Sequence, residues 1–329
     1  MYLSGRMFSV GLAMLSANLF GTQASAQDWP KEPVKIVVSA AAGGPIDVFG
    51  RIMAERLTQI LGQQVIVENV PGAGGMVGGQ RVARATADGH TVLLGTIATH
   101  THSQNLYKQP LYNSVTDFEP VLLMAEIPLV LITRKDLPAS NMSEFVAYAK
   151  ANAEKMNYGS AGVGSATHLG CALLSNAIGA KIQHVPYRGT GPAMQDLQNG
   201  RIDFLCEIVL TAAPQIETGT VKGIALLSSS RSPVLPKTPL ASEGGVTGVE
   251  ADTWTAFFLP MGTPATIASR LRAAAIEAID TPRVKAQLEK LGASIVAPER
   301  RTAEYLTRFV QSDISKWGAA VKASGIEQQ

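Results

Sequence analysis

The sequence predicts an α/β protein built as two units that face each other across a cleft, each unit a mostly parallel sheet covered by helices. Three observations predict it. Apolar runs of strand length alternate with amphipathic stretches of helix length, the order expected of strand–helix–strand units. The alternation starts afresh after "FEPVLLMAEIPLVLITRKDLP". Each half also opens with the same device, a strand running into a glycine loop and a helix start: "VVSAAAGGPID" in the first and "NYGSAGVGSAT" in the second. A chain of 329 residues has room for two domains of ordinary size.

Taken in order, "VKIVVSA" reads as a buried strand. "PIDVFGRIMAERLTQILG" reads as a helix, with Pro45 near its first position, Asp47 in its first turn and Gly62 at its end. Val48, Ile52, Leu57, Ile60 and Leu61 give that helix one apolar face. "QVIVEN" and "TVLLGT" are strands. In the second half "MNYGS", "IQHVPY", "IDFLCEI" and "GIALLSS" are strands, while "SATHLGCALLSNAIG" and "GPAMQDLQNG" are helices. "DTWTAFFLP" is extended, and helical patterns over 264–280, 282–291 and 299–323 finish the chain. Two long extended segments, near 118–130 and 250–260, would carry the chain between the units. Residues 27–127 and 250–329 would then form the first domain, and 128–249 the second.

Composition narrows the function. The chain has 28 Lys and Arg against 26 Asp and Glu, with no basic run, which argues against a nucleic-acid or anionic-lipid partner. "MYLSGRM", a short apolar core and "ASA" at 24–26 read as a secretory signal over 1–26, cut before Gln27. That apolar core is too short for a membrane span. The two cysteines, Cys171 and Cys206, both fall in patterns that predict burial. Export permits a disulfide between them, and free packed thiols are the plainer reading.

The glycine loops exclude more than they admit. The nucleophile pattern G-x-S-x-G fails around Ser160 for want of its first glycine, and around Ser165 for want of both. His168 follows Ser165 on one helical turn, without an orienting carboxylate. No lysine follows either loop as a phosphate loop requires, and "GAGGMVGG" has Val77 where a dinucleotide fingerprint needs its third glycine. His100 and His102 in "HTH" lack neighbouring ligands to complete a metal site, so an ordinary loop is expected there. No cofactor, metal or catalytic residue is expected. The loops do suit an anion. A helix N-terminus presents unpaired N–H groups and about half a positive charge, and glycines let a ligand approach them. "GVGSAT" offers this arrangement, and so does "YRGTGPAMQDL"; two plainly capped helices are the alternative.

These residues resemble the Bug family, the periplasmic solute-binding components of tripartite tricarboxylate transporters. The resemblance runs from "WPKEPVKIVVSAAAGGPIDVFGR" through "QVIVENVPGAGGMVGGQRVARATADGHTVLLGT", "YGSAGVGSATHLG" and "HVPYRGTGPAMQDLQNGRIDF" to "FFLPMGTPATIASRLRAAAIEAI". It implies a type II periplasmic-binding-protein fold, two α/β domains closing on a small organic carboxylate. It implies delivery to the transporter's membrane subunits or to a sensing partner, by a protein expected to be a periplasmic monomer. Carried onto this chain, it places one carboxylate at Ser160, Gly162, Gly164, Ser165, Gly189 and Thr190, with His168 and Glu207 counted in the same site. It places the far end of the ligand at Gly43, Gly44, Pro45, Ile46 and Asp47, with Thr96, Ile97 and Ala98 lining the cleft. The chain departs from the family pattern at Ala42, Ile46, Glu207 and Leu210. Ile46 replaces a small hydroxylated residue, so the far end of the ligand should be less polar than a tricarboxylate.

Overall fold

The computed structural model describes residues 29–40, 42–187, 189–324 and 328. The signal segment 1–26, the start at Gln27 and Arg188 lie outside the described residues. In the first half the chain runs β1 (Val34–Val38), α1 (Pro45–Leu61), β2 (Val65–Asn69), α2 (Met76–Ala83), β3 (Thr91–Thr96), α3 (Ser103–Leu106) and β4 (Phe118–Ile127). The second sheet takes β5 (Leu129–Arg134), α4 (Met142–Asn152), β6 (Asn157–Ser160), α5 (Ala166–Ala177), β7 (Gln183–Pro186), α6 (Thr190–Gln198), β8 (Phe204–Ile208), α7 (Val209–Glu217) and β9 (Val221–Leu227). The chain then returns through β10 (Thr253–Pro260), α8 (Ala265–Asp280), α9 (Pro282–Lys290), β11 (Ser294–Ile295) and α10 (Ala303–Ser324).

The two sheets have orders β11-β4-β10-β3-β1-β2 and β7-β6-β8-β5-β9. Both are more mixed than the sequence suggests. The β-α-β units pair in parallel, as β1 does with β2 and β3 and β6 does with β7 and β8. The strands at the crossings run the other way: β10 is antiparallel to β3 and β4, and β5 to β8 and β9. The cause is connectivity. β4 ends one residue before β5 begins, with only Pro128 between them, so one extended run enters the second sheet without a crossover helix.

Burial follows from the layering. β1 is buried at four of its five positions, as a strand covered on both faces must be. On one face Ile36 and Val38 pack with Phe49, Met53 and Leu57 of α1 and Leu271 of α8. On the other, Val37 and Leu93 pack with Met76, Leu106, Val310 and Trp317. Gly50 lets α1 lie close to the sheet, since a Cβ there would stand 3.0 Å from the Val38 side chain. The second sheet is covered alike, with Phe145, Leu169 and Leu174 on one face and Ala193, Leu197 and Ala212 on the other.

Free thiols, the plainer expectation for the cysteines, are not what the fold contains. Cys171 on α5 and Cys206 on β8 form a disulfide, their Cα atoms 5.3 Å apart. Gly170 is the reason the helix comes so near. It carries no side chain toward the sheet, and a Cβ there would lie 2.7 Å from Leu129 and 3.6 Å from the Cys206 Cβ.

Candidate functional site

The carboxyl ends of β1, β2, β3 and β6 point into the space between the sheets, the usual place for ligands in open α/β folds. The loops that follow these strands enclose a cavity of about 420 Å³. Ser39, Gly72, Gly74, Gly75, Ala98 and His102 line it from the first sheet, and Val163, Gly164, Ser165 and Ala166 from the second. A smaller chamber of about 170 Å³ adjoins it, lined mainly by Pro45, Ile46, Ile97, Ile127 and Ile208, with Thr96 at its edge. The two share Ser39, Gly75, Ala98 and Ala166, so the site has a polar room and an apolar room that meet at the first residue of α5. Among the described residues, no Asp, Glu, Lys or Arg lines either room.

The start of α5 supplies the positive potential. Ser165 is its N-cap: the hydroxyl accepts from the His168 amide at 3.2 Å and donates to the Gly162 carbonyl at 2.7 Å. No acid stands in the first turn of α5. The amides of Ala166 and Thr167 have no acceptor among the described residues. The loop ahead of them is braced from behind. The Gly164 amide donates to Nδ1 of His168 at 3.0 Å, and the Ala161 amide to the Thr167 hydroxyl at 2.9 Å. The His168 ring stacks on His184 at 3.7 Å, and Nε2 of His184 lies 2.7 Å from the Ser160 hydroxyl. Burial holds both rings neutral, His168 down at about 3, where repulsion from a protonated His184 would add to the cost of charging it, and His184 down at about 4. Glycine is required at Gly162 and Gly164, where φ is 122° and 77°.

The start of α1 is different. Its own acid already occupies it. Asp47 accepts from the Gly43 amide at 2.8 Å, from Arg51 at 3.0 Å and from Asn69 at 3.0 Å. The Arg51 hydrogen bond above all holds its pKa down at about 2. That helix end is therefore neutralised from within.

Of the residues expected from sequence, the fold brings Pro45, Ile46, Thr96, Ala98, Gly164 and Ser165 to the cavity walls. Gly43, Gly44 and Asp47 shape the loop behind Ile46, while Ser160, Gly162 and His168 brace the loop behind Ser165. Gly189, Thr190 and Glu207 line neither room. Glu207 is fully buried; burial pushes its carboxyl up to about 7, countered in part by Thr211, the Ile208 amide and the Thr190 hydroxyl. Ser39, Gly75, His102, Tyr107 and Ala166 line the polar room and were not singled out as site residues by sequence. One signal was available: "PGAGG" follows a parallel strand, as the two chosen glycine loops do. His102 was noticed only in "HTH" and read as part of an ordinary loop; its neighbour His100 is a core residue stacked on Phe258 at 3.7 Å.

Two mixed α/β sheets with a cavity at a helix N-terminus between them, lined by no Asp, Glu, Lys or Arg among the described residues, fit a class, the binding proteins that hold a small solute between two domains. Within that class the chain belongs to the family described as tripartite tricarboxylate transporter family receptor (TctC), whose pattern matches residues 49–326. It is 38% identical over 313 residues to a protein from the TAR-I ttuE-ttuC' intergenic region of Agrobacterium vitis, covering 95% of this chain and 90% of that one. It is similar to the solved structure of periplasmic binding protein BugD, with 36% identity, a TM-score of 0.79 and coverage of 92% of this chain and 100% of that one. MatC (Rpa3494) from Rhodopseudomonas palustris, solved with bound malate, is 38% identical with a TM-score of 0.78, over 89% of this chain and 100% of that one. The family is one of periplasmic solute receptors rather than enzymes, and the resemblance read from sequence is the family found.

Proposed function

We propose that this protein captures a small organic carboxylate between two domains, 27–127 with 250–329 and 128–249, and presents it as a monomer to transporter membrane subunits or a sensing partner. One observation carries the reading: the amide of Ala166, which lines both rooms, has no acceptor among the described residues, and no described Asp, Glu, Lys or Arg lines either room. A carboxylate there meets the positive end of a helix dipole and the free Ala166 amide. The apolar room beside it suits an aliphatic or aromatic arm, whose burial contributes about 25 cal/mol per Å². An enzyme using the same cleft finds less support. The His168 ring is turned to the Gly164 amide, so Ser165 and His168 meet only through the main chain.

The test is a carboxylate library read by thermal shift and by the mass of the recovered ligand. A ligand at about a hundred times its Kd stabilises by about 2.7 kcal/mol, a rise in Tm of several degrees. A receptor returns its ligand unchanged. A consumed ligand, or no hit among carboxylates, sinks the reading.

A further inference from the structure

The ends of β1 and β3 that point away from the cleft gather a second set of polar side chains. The two strands pair in parallel, so the residues leading into them arrive side by side, and the Lys35 amide donates to the His90 carbonyl at 2.8 Å. Glu32 stands just ahead of β1, and Asp88 and His90 just ahead of β3. Each offers one ligand atom, and the three atoms lie within 4.8 Å of one another. No other three His, Cys, Asp or Glu among the described residues come so close. Nδ1 of His90 is 3.3 Å from Oδ1 of Asp88 and 3.8 Å from Oε1 of Glu32. Neither contact is a hydrogen bond: both ring nitrogens are shielded from solvent and have no hydrogen-bond partner. Oδ1 of Asp88 accepts instead from the His90 amide, at 2.9 Å, which fixes that carboxylate beside the ring. Trp29 packs against the ring, tilted, with the centroids 6.2 Å apart. The imidazole is thus held, its side chain 17% exposed, while Glu32 at 68% is free to adjust.

An ion pair accounts for less of this. One proton on Nδ1 serves one carboxylate, and neither is placed to accept it. A divalent cation serves all three groups at once. Two ligands each 2.0–2.1 Å from a tetrahedral zinc stand about 3.3–3.4 Å apart, the separation that Asp88 and His90 already have. Glu32 has only to swing inward a little to match it. An imidazole with two carboxylates suits zinc and its first-row neighbours, whereas magnesium and calcium take all-oxygen shells. Three protein ligands leave the fourth position to water. We propose that Glu32, Asp88 and His90 form a zinc-class site that staples the segment leading into β1 to the loop leading into β3. Only the folded chain brings the three together, so the cation stabilises the fold. The site lies at the amino ends of the strands and does not depend on what the cleft holds.

Calorimetry with zinc chloride on the untagged exported protein, first stripped with a chelator, tests it, with magnesium chloride as the control. Zinc should bind as a single ion per chain and raise Tm, and magnesium should do neither. Cobalt in its place should show the strong visible absorption of a tetrahedral site. Three variants remove one ligand each and spare the packing. His90→Phe keeps a ring against Trp29, Asp88→Asn keeps an acceptor for the His90 amide, and Glu32→Gln alters an exposed side chain. Losing a group that merely orients a ligand costs roughly 10–100-fold in metal affinity, so losing a ligand should weaken zinc by at least about tenfold in each variant. The zinc-induced rise in Tm should vanish with it, while Tm without zinc stays near that of the wild type. Glu32→Gln decides the case should either of the others fail to fold. No zinc binding by the wild type overturns the assignment. Undiminished zinc affinity in the variants places the ion elsewhere and overturns it too, and magnesium binding as tightly as zinc reduces the set to an ordinary acidic surface.

Discussion

At the residue scale, the two helix starts facing the cleft differ in who supplies the negative charge. Asp47 supplies it at α1, and the solute would supply it at α5. Ala166 allows a narrow test. It is the first residue of α5, and Ser165 before it has φ −66° and ψ 158°, a conformation that tolerates a following proline. Ala166→Pro should therefore keep the helix and delete one donor. A hydrogen bond to a charged group is worth about 1.5–3 kcal/mol, so carboxylate affinity should drop about tenfold or more with Tm little changed. Calorimetry beside a thermal melt checks both, and undiminished affinity would move the carboxylate elsewhere. Ile46 makes the complementary case. It lines the apolar room where a hydroxylated residue was the family expectation. Ile46→Thr should weaken an aromatic monocarboxylate and improve citrate, because a second carboxylate beside Ile46 loses water without gaining a donor. Tight citrate binding by the wild type, unimproved by threonine, would end that idea.

At the element scale, the cradle depends on how α5 is fastened to its sheet. The disulfide closes a loop with a sequence separation of 35. Chain-entropy arguments give such a crosslink about 3–4 kcal/mol. Replacing Cys171 and Cys206 by alanine should lower the denaturant midpoint accordingly and loosen ligand binding; equal midpoints for the pair and the wild type would refute it. The elements themselves were legible. Pro45, Asp47 and Gly62 marked the two ends of α1, and alternating apolar runs marked β1, β3, β8 and β10. The site was legible only where a local signal existed. Gly164 and Ser165 advertise a helix start, but nothing local says that Thr190 turns to Glu207 or that Ser160 turns to His184. His102 lines the polar room with its ring edge-on to Trp317 of α10, a contact from a distant part of the chain that nothing local announces. The antiparallel strands escaped for a similar reason: pairing direction depends on where a strand's neighbours come from, and its own composition does not record that.

At the scale of the whole molecule, the buried ionisable groups set a pH dependence. His100 and His102 are held neutral by burial, each down at about 3, with His168 also at about 3 and His184 at about 4. The unfolded chain returns them to about 6.5. Their contribution is complete above that value and is lost as pH falls toward the folded values, about 1.4 kcal/mol per pH unit for a fully buried ring. Four carboxyls act oppositely, Asp313 and Glu119 being raised by burial as well as the two with large shifts. Burial raises Glu207 and Asp252 to about 7. Their contribution is complete below about 4, the unfolded value, and is lost as pH rises through about 7. Between about pH 5 and 6.5 the two sets oppose, and the four rings outweigh Glu207 and Asp252, the carboxyls with the large shifts. Tm should therefore be highest near neutrality and decline toward about pH 5, where unfolding takes up more protons than the carboxyls release. His100→Phe, which keeps an aromatic ring against Phe258 while removing the titrating nitrogens, should flatten that decline. Thermal melts of both proteins across this range decide it: a wild-type Tm that holds or rises from about pH 7 to 5 would show that the rings are not buried neutral as the fold requires.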